Sequence, residues 1–428
     1  MTERAADIVV MKFGGTSVAG AEDIKRAAGR IVGARERGNR VVAVLSARGQ
    51  TTDDLHDMAH EVSDRPDPRE MDMLLSVGER ISCALCAMAI NDLGHQAISL
   101  TGSQAGIVTD ASHTKARILD VRADRIREAL TQDRIVLVAG FQGVSGSSRD
   151  VTTLGRGGSD TTAVAIAAAL GASVCEIYTD VAGVFSADPR LVSNARKLDV
   201  VSFEEVLEMA SSGAKVLQLR SVEYARNHAV RIHCRSSFED TPGTLVLSEE
   251  ETLERPLVTA VAHSTEEARV TLTGVRDEPG VAASIFGALA TANVNVDMII
   301  QNEPVSAEQG AEVSFTLSRD DLRTALDALE GLDVGDKPLT DERIGKVSIV
   351  GAGMRSHPGV AAKVFETLGE LGINIEMIST SPIKISCVIK ADRVPDAVKG
   401  LHEAFGLGAD AVKKEEPTGV EHRPTVAS

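Results

Sequence analysis

The chain has 428 residues, 43% hydrophobic and 25% charged, which fits a globular protein of two or three domains. Its formal net charge of −17 makes nucleic acid and anionic membranes poor partners. Five Cys without framework spacing point to a reducing compartment, and the acid-bearing N-terminus followed by a short apolar run does not read as a signal peptide.

Ile8 to Phe13 is a short apolar run holding Lys12, followed by Gly14-Gly15-Thr16-Ser17. It reads as a strand, a tight turn, then a helix from about Ala21. A lysine at a strand end beside two glycines can meet a phosphate cradled by backbone amides. The order differs from the Walker pattern, where the lysine follows the glycines. Val41 to Ser46 is a second buried strand, ending in the polar turn Ala47-Arg48-Gly49-Gln50-Thr51-Thr52-Asp53. Ligands of open α/β sheets bind at the carboxyl ends of strands, so the two turns are expected to share one crevice. Residues 72–91 read as a long helix with Gly78-Glu79-Arg80. His56 and His60 sit at i, i+4 with no third ligand, so a solvated helix face is expected. Cys83 and Cys86 lie inside an apolar helix and are expected to be buried packing. No apolar run is read as reaching membrane-spanning length.

Ile135 to Gly140 is a further strand. After a polar hairpin comes Gly155-Arg156-Gly157-Gly158-Ser159-Asp160, running into the apolar helix that starts at Ala163. Small residues before a helix start suit an anion, and the Arg156 fork fits a carboxylate or phosphate. Val174 to Tyr178 reads as a strand ending in Thr179-Asp180 and a turn-rich run to Arg190. Residues 202–226 read as helix carrying Lys215, and Val230 to Cys234 and Thr244 to Leu247 as strands. The alternation predicts an α/β fold, a mostly parallel sheet with helices on both faces.

The second half repeats itself. Pro279-Gly280-Val281-Ala282-Ala283 recurs as Pro358-Gly359-Val360-Ala361-Ala362, and Asn295-Val296-Asp297-Met298-Ile299 as Asn374-Ile375-Glu376-Met377-Ile378, both 79 residues on (358 − 279 and 374 − 295). Each unit reads as a βαββαβ sandwich. The expected division is a first domain over 1–248, a linker over 249–262, repeat units over 263–342 and 343–416, and a disordered tail over 417–428.

Lys12-Phe13-Gly14-Gly15-Thr16-Ser17, Gly78-Glu79-Arg80, the Gly155–Asp160 loop, and Thr179-Asp180 with Ala187-Asp188-Pro189-Arg190 together resemble aspartate kinase. The doubled unit resembles that family's pair of ACT regulatory modules, and the whole is most similar to the monofunctional actinobacterial type regulated by lysine and threonine. The resemblance implies an amino-acid-kinase α/β/α sandwich plus two βαββαβ ACT domains, and cytoplasmic transfer of the ATP γ-phosphoryl group to the L-aspartate side chain. The cofactors implied are ATP and Mg2+, with the metal held by ATP phosphates rather than by side chains. Lys12 and Lys215 would contact the phosphates and Asp160 would hold the lysines. Glu79 would take the aspartate ammonium and Arg156 a carboxylate, with Thr52 and Ser159 nearby. Phe13, Gly14, Gly15, Thr179, Asp180, Phe185, Ser186, Ala187, Asp188, Pro189 and Arg190 would line the nucleotide pocket.

Lysine and threonine would sit at ACT modules of partnered chains. The implied contacts are Asp277, Pro279, Gly280, Val281, Ala282, Asn295, Val296, Asp297 and Gln301 in the first unit. Val360, Ala361, Asn374, Ile375, Thr380 and Ser381 are their counterparts in the second. A homo-oligomer through the ACT domains is implied, with a separate regulatory subunit in some relatives. Four departures stand out. Arg48 and Gln50 replace the usual Met and Asp, Ala182 replaces an Asp, and Pro304 replaces a small polar residue. Kinases of glutamate or a carbamate, and a catalytically silent amino-acid sensor, are the alternatives.

Overall fold

A computed structural model describes residues 7–251, 256–302, 310–332 and 334–409, with only the backbone at 355 and 356. Pro304 and the tail over 417–428 lie outside the described residues. The chain forms two compact units. The first holds the described residues up to 184, with 197–210 and 215–251; the second holds 185–196, 211–214 and 256–409.

In the first unit the strands and helices run, in chain order, β1 (Ile8–Phe13), α1 (Ala21–Glu36), β2 (Arg40–Leu45), α2 (Thr51–Val62), α3 (Pro68–Leu75), α4 (Val77–Asp92), β3 (Ala97–Leu100), β4 (Ile107–Thr109), β5 (Ile118–Val121), α5 (Asp124–Thr131), β6 (Ile135–Ala139), β7 (Gln142–Ser145), β8 (Val151–Thr153), α6 (Gly158–Leu170), β9 (Val174–Thr179), β10 (Val200–Ser202), α7 (Phe203–Ser211), α8 (Leu219–Asn227), β11 (Ile232–Ser236) and β12 (Thr244–Leu247). Eight strands form one sheet in the order β10-β12-β11-β9-β1-β2-β6-β3. Every pairing in it is parallel except β11 with β12. The chain builds away from β1 in both directions, which puts the topological switch point between β1 and β9 and a ligand crevice outside their carboxyl ends.

Side chains alternate along β1. Met11 and Phe13 enter the core with Ile24, Ile31, Cys83 and Ile90 of α1 and α4, so Lys12 points to the other face. That face is covered by α6, which is buried almost all round because its residues are nearly all small or apolar. A second sheet, β5-β4-β7-β8, was not legible in the sequence. α3 and α4 together span 25 residues whose composition would suit a membrane crossing, against the sequence expectation. Yet Cys83, Cys86 and Ile90 of α4 pack in the core and Glu79 is buried. Burial pushes the Cys86 thiol to about 12 and Cys83 upward as well, so both stay protonated.

The expected single helix over 202–226 is two, α7 and α8, and Lys215 lies in the loop between them. Gly213 breaks it: its φ of +105° is not helical, and a Cβ there would stand 2.1 Å from the His263 carbonyl oxygen.

The second unit continues with β13 (Ala260–Ser264), β14 (Glu267–Val275), α9 (Val281–Thr291), β15 (Val296–Asn302), β16 (Ala311–Ser318), α10 (Leu322–Leu329), β17 (Leu339–Asp341), β18 (Ile344–Val350), α11 (Val360–Glu370), β19 (Met377–Ser381), β20 (Lys384–Lys390) and α12 (Val394–Ala404). The first module is a βαββαβ sandwich with strand order β15-β16-β14-β17. The second has the order β19-β20-β18-β13, so its fourth strand comes from before the first module. This corrects the linker over 249–262 and the boundary at 263. Ala260, Val261 and Ala262 are buried and pair antiparallel with β18, satisfying an edge that the second module leaves open. No strand follows α12 among the described residues.

Candidate active site

The two turns expected to share a crevice are joined. The Gly49 amide donates to the Gly15 carbonyl at 3.0 Å, and the Ser46 amide to Phe13 at 3.1 Å. Gly15 has room for no side chain, since a Cβ would lie 3.0 Å from the Ala47 carbonyl oxygen. The Gly14 amide reaches across the switch point to the Tyr178 carbonyl at 3.3 Å, which places Thr179 and Asp180 beside the glycine turn. Phe13 and Tyr178 stack at 4.7 Å and stiffen the two strand ends.

Lys12 Nζ sits 3.5 Å from where a Gly14 Cβ would stand and 2.5 Å from Asp160 Oδ1. The Asp160 oxygen lies outside hydrogen-bond geometry, so the contact is an ion pair. Both groups are largely buried. Asp160 occupies the first turn of α6, whose N-terminal dipole would favour an anion but here also holds a cation through the carboxylate. A Cβ on Gly140 would be 2.7 Å from Ser159 Oγ, so the end of β6 closes onto the same helix start.

Lys215 belongs to a different stretch of the chain. It is exposed in the loop before α8. Three residues later, Gln218 packs so closely on Gly157 that a Cβ there would meet its Cγ at 2.5 Å. The loop of Lys215 and the helix start carrying Asp160 are therefore neighbours. Arg156 is exposed on the same loop.

Glu79 lies in the first turn of α4 and is 3% exposed. One carboxylate oxygen accepts from the Ala47 amide at 3.2 Å, and Oε2 is buried with no hydrogen-bond partner among the described residues. Burial raises its pKa to about 7. A buried acceptor without a donor is costly unless a ligand completes it. Thr52, in the first turn of α2, opens beside the same Ala47–Gly49 turn. Arg48 Nη2 donates to the Ala19 carbonyl at 2.9 Å, and its Nε is buried without a hydrogen-bond partner among the described residues. Gln50 stands at the N-cap of α2 without a side-chain capping bond.

What holds the Gly155–Asp160 loop is not legible in local sequence. Fully buried Asp72 accepts from Thr153 Oγ1 at 2.5 Å and from the Thr114 amide at 3.1 Å, and pairs with His113 Nδ1 at 2.6 Å. Arg220 donates to the Leu154 carbonyl at 2.9 Å and the Ala116 carbonyl at 2.8 Å. Only the three-dimensional neighbours reveal these anchors.

Phe185, Ser186, Ala187, Asp188, Pro189 and Arg190 group with the second unit. Ser186 is buried there, with its hydroxyl 3.0 Å from His402 Nε2 and from the Leu407 carbonyl, and Ala187 is buried too. Asp188 pairs with Arg190 at 2.7 Å, and Pro189 and Arg190 are exposed. The His56 and His60 ring centroids lie 4.7 Å apart, the rings tilted by 40°, on a helix with no buried residue. Among the described residues no group of three or more His, Cys, Asp or Glu is arranged to hold a metal.

In the repeat modules Gly280 and Gly359 have φ of +100° and +101° and cap α9 and α11. The exposed turn of Asp277, Pro279 and Gly280 thus has a structural twin, with Val281 and Val360 buried beneath and Ala282 exposed. Asn295, Gln301, Asn374 and Thr380 are exposed, and Val296, Ala361, Ile375 and Ser381 half-buried. Asp297 is already paired with the ammonium of Lys346.

Comparison with known proteins shows the family. The amino acid kinase family model matches residues 7–236, and an ACT domain model matches 270–331 and 347–405. The aspartokinase of Mycolicibacterium smegmatis is 58% identical over 408 residues, covering 94% of this chain and 97% of that protein. The aspartokinase of Mycobacterium tuberculosis H37Rv is 57% identical over the same length, with the same coverage. Among solved structures, E. coli aspartokinase III in complex with aspartate and ADP superimposes with a TM-score of 0.80 at 27% identity, covering 93% of this chain and 99% of that one. The same enzyme with lysine and aspartate gives 0.71 at 28% identity, with the same coverage. Matched along nearly its whole length by proteins that share more than half of its residues, the chain belongs to the aspartokinases of the amino acid kinase family.

Proposed function

We propose that the crevice at the β1/β9 switch point phosphorylates the side-chain carboxylate of L-aspartate from ATP, giving 4-phospho-L-aspartate. The carrying observation is the Lys12–Asp160 pair poised over the Gly14-Gly15 turn. The nucleophile is a carboxylate, ionised at neutral pH, so no general base is required. The work left to the protein is positioning and charge neutralisation. Lys12 and Lys215 take up charge on the transferring phosphoryl group, and Asp160 fixes Lys12 without hydrogen-bonding it rigidly. Thr179 and Asp180 border the nucleotide, and residues 185–190 follow in the chain. Glu79 receives the substrate ammonium on its orphan oxygen; Arg156, with Thr52 and Ser159, takes a carboxylate. Mg2+, held by the ATP phosphates, would supply further charge neutralisation.

The wider reading places the reaction in the cytoplasm as the first step toward lysine, threonine and methionine. Lysine and threonine inhibit at the ACT modules of a homo-oligomer. Support comes from the E. coli relative solved with lysine and from the twin Pro-Gly turns. The test is hydroxylamine trapping of acyl phosphate with ATP and aspartate, repeated with glutamate, and with lysine and threonine singly and together. Product is expected from aspartate alone among the acceptors, with the pair of effectors inhibiting more than either one. No hydroxamate from the wild-type enzyme overturns the reading.

Glu79 makes a second expectation. Its charged form binds the ammonium, so kcat/KM for aspartate should fall as pH drops through about 7. Glu79→Gln should lose this limb together with aspartate affinity. Stability moves oppositely. A carboxyl whose folded pKa is raised binds its proton more tightly in the native state, so its burden is absent below about 4.5 and complete above about 7. Glu79→Gln should therefore raise Tm more at pH 8 than at pH 5, by up to ~3 kcal/mol of relieved cost. Equal shifts at the two pH values would refute the assignment.

A further inference from the structure

On the opposite face of the eight-stranded sheet from Lys12, the first unit contains a cavity of about 730 Å³. One wall is a flank of α1 carrying Arg26, Arg30 and Arg37, with Gly29 and Gly33 between them. A Cβ at Gly29 would meet nothing within 4 Å, and one at Gly33 only Arg37 Nη1 at 3.5 Å.

The floor is the ring of Tyr178. Phe13 stacks on one side of it, and the guanidinium carbons of Arg30 and Arg235 lie 5.5 and 5.7 Å from its centroid. Two cations thus converge over one aromatic face, each side chain only 20% exposed. Arg30 spends Nε and Nη2 on the carbonyls of Ser237 and Glu239, which leaves Nη1 for the cavity. Arg235 spends Nη1 on Glu176 at 3.1 Å, and its Nε is buried without a partner.

Between the two cations stands Asp240. Its Oδ1 is 3.9 Å from Arg30 Nη1 and 3.7 Å from Arg235 Nη2, beyond hydrogen-bond distance of both, and its side chain is 91% exposed. A carboxylate held loosely by charge alone, in water, contributes little and is easily replaced. It marks where an oxyanion sits. A purely solvated sheet face would not need two mostly buried guanidiniums aimed at one exposed acid.

We propose that this cavity is a second small-molecule site, separate from the phosphotransfer crevice. It takes a multivalent oxyanion, with Arg30 and Arg235 as the binding pair and Asp240 as the internal anion that the ligand displaces. The planar forks suit phosphoryl and carboxyl groups alike, and the volume admits a ligand larger than a bare ion.

The test is calorimetric titration of the full-length protein with citrate and with pyrophosphate at constant ionic strength, ADP and aspartate being present to fill the crevice. Wild type is expected to bind at least one probe, and preference for citrate or pyrophosphate tells carboxyl from phosphoryl ligands. Asp240→Asn should tighten binding by about fivefold, the size of a lost exposed competitor. Asp199→Asn, a charge-matched change at another exposed acid, should leave it unchanged. Arg235→Met should weaken it by about tenfold or more. Should Arg235→Met fail to fold, the Asp240→Asn and Asp199→Asn pair still decides. No binding by wild type and Asp240→Asn, or equal tightening in both acid variants, overturns the proposal.

Discussion

Lys12→Met should abolish acyl-phosphate formation, with kcat falling by ~10³-fold or more, the scale seen when a preorganised charge stabiliser is removed. Methionine fills nearly the same volume, so the loss reports charge rather than packing. The ammonium lies over Gly14 and on Asp160, and both are fixed before any ligand arrives. With Lys12 gone, Asp160 becomes a mostly buried carboxylate without its cation. A phosphate entering the crevice would then meet a like charge instead of a neutralised pair. ATP affinity and kcat should both fall. Lys12→Met with Asp160→Asn should recover nucleotide binding but not turnover, because the repulsion is removed while the stabiliser is still missing. Full activity in Lys12→Met, measured by hydroxamate release, would end the phosphotransfer assignment.

Much of that site is written in local sequence. A six-residue apolar run ending in Lys12-Phe13-Gly14-Gly15 can only be a buried strand and a tight turn, and the Gly155–Asp160 loop announces the helix that follows. What failed to show depends on neighbours distant in the chain. Asp72 gathers Thr114 and Thr153 from 42 and 81 residues away, and no periodicity encodes such a hub. Residues 202–226 have helical composition, and the left-handed backbone at Gly213, with φ of +105°, divides them. The 79-residue repeat drew the first module's boundary after residue 262, yet Ala260–Ser264 completes the sheet of the second. A period reports what is duplicated, not which copy a flanking strand will join. The strands β4, β5, β7 and β8 have three or four residues each, too few to display alternation.

Lys346→Met should produce the largest loss of stability. Lys346 is 2% exposed in the middle of β18, where a lysine is hardly ever tolerated without full pairing. Its ammonium meets Glu267 at 2.9 Å, Asp297 closely, and the Ser211 carbonyl at 3.3 Å, which gives each of its three protons an acceptor. Burial alone would lower its pKa, but the two carboxylates outweigh burial and raise it. A raised lysine contributes stability in full below its unfolded value of 10.5, and loses it only as pH climbs through the higher folded value. Removing the cation leaves two carboxylates facing each other, a loss of about 3–5 kcal/mol and a large part of an ordinary domain's stability. The deficit should shrink in acid, where the two acids protonate, and Glu267→Gln in the same chain should restore part of it. Asp297 ties this experiment to regulation. If an effector ammonium binds Asp297, lysine should raise the Tm of Lys346→Met more than that of wild type, because the ligand supplies the missing charge. Equal shifts in calorimetry would place effector recognition elsewhere in the module, while a Tm unchanged by Lys346→Met itself would show that the buried pair contributes nothing.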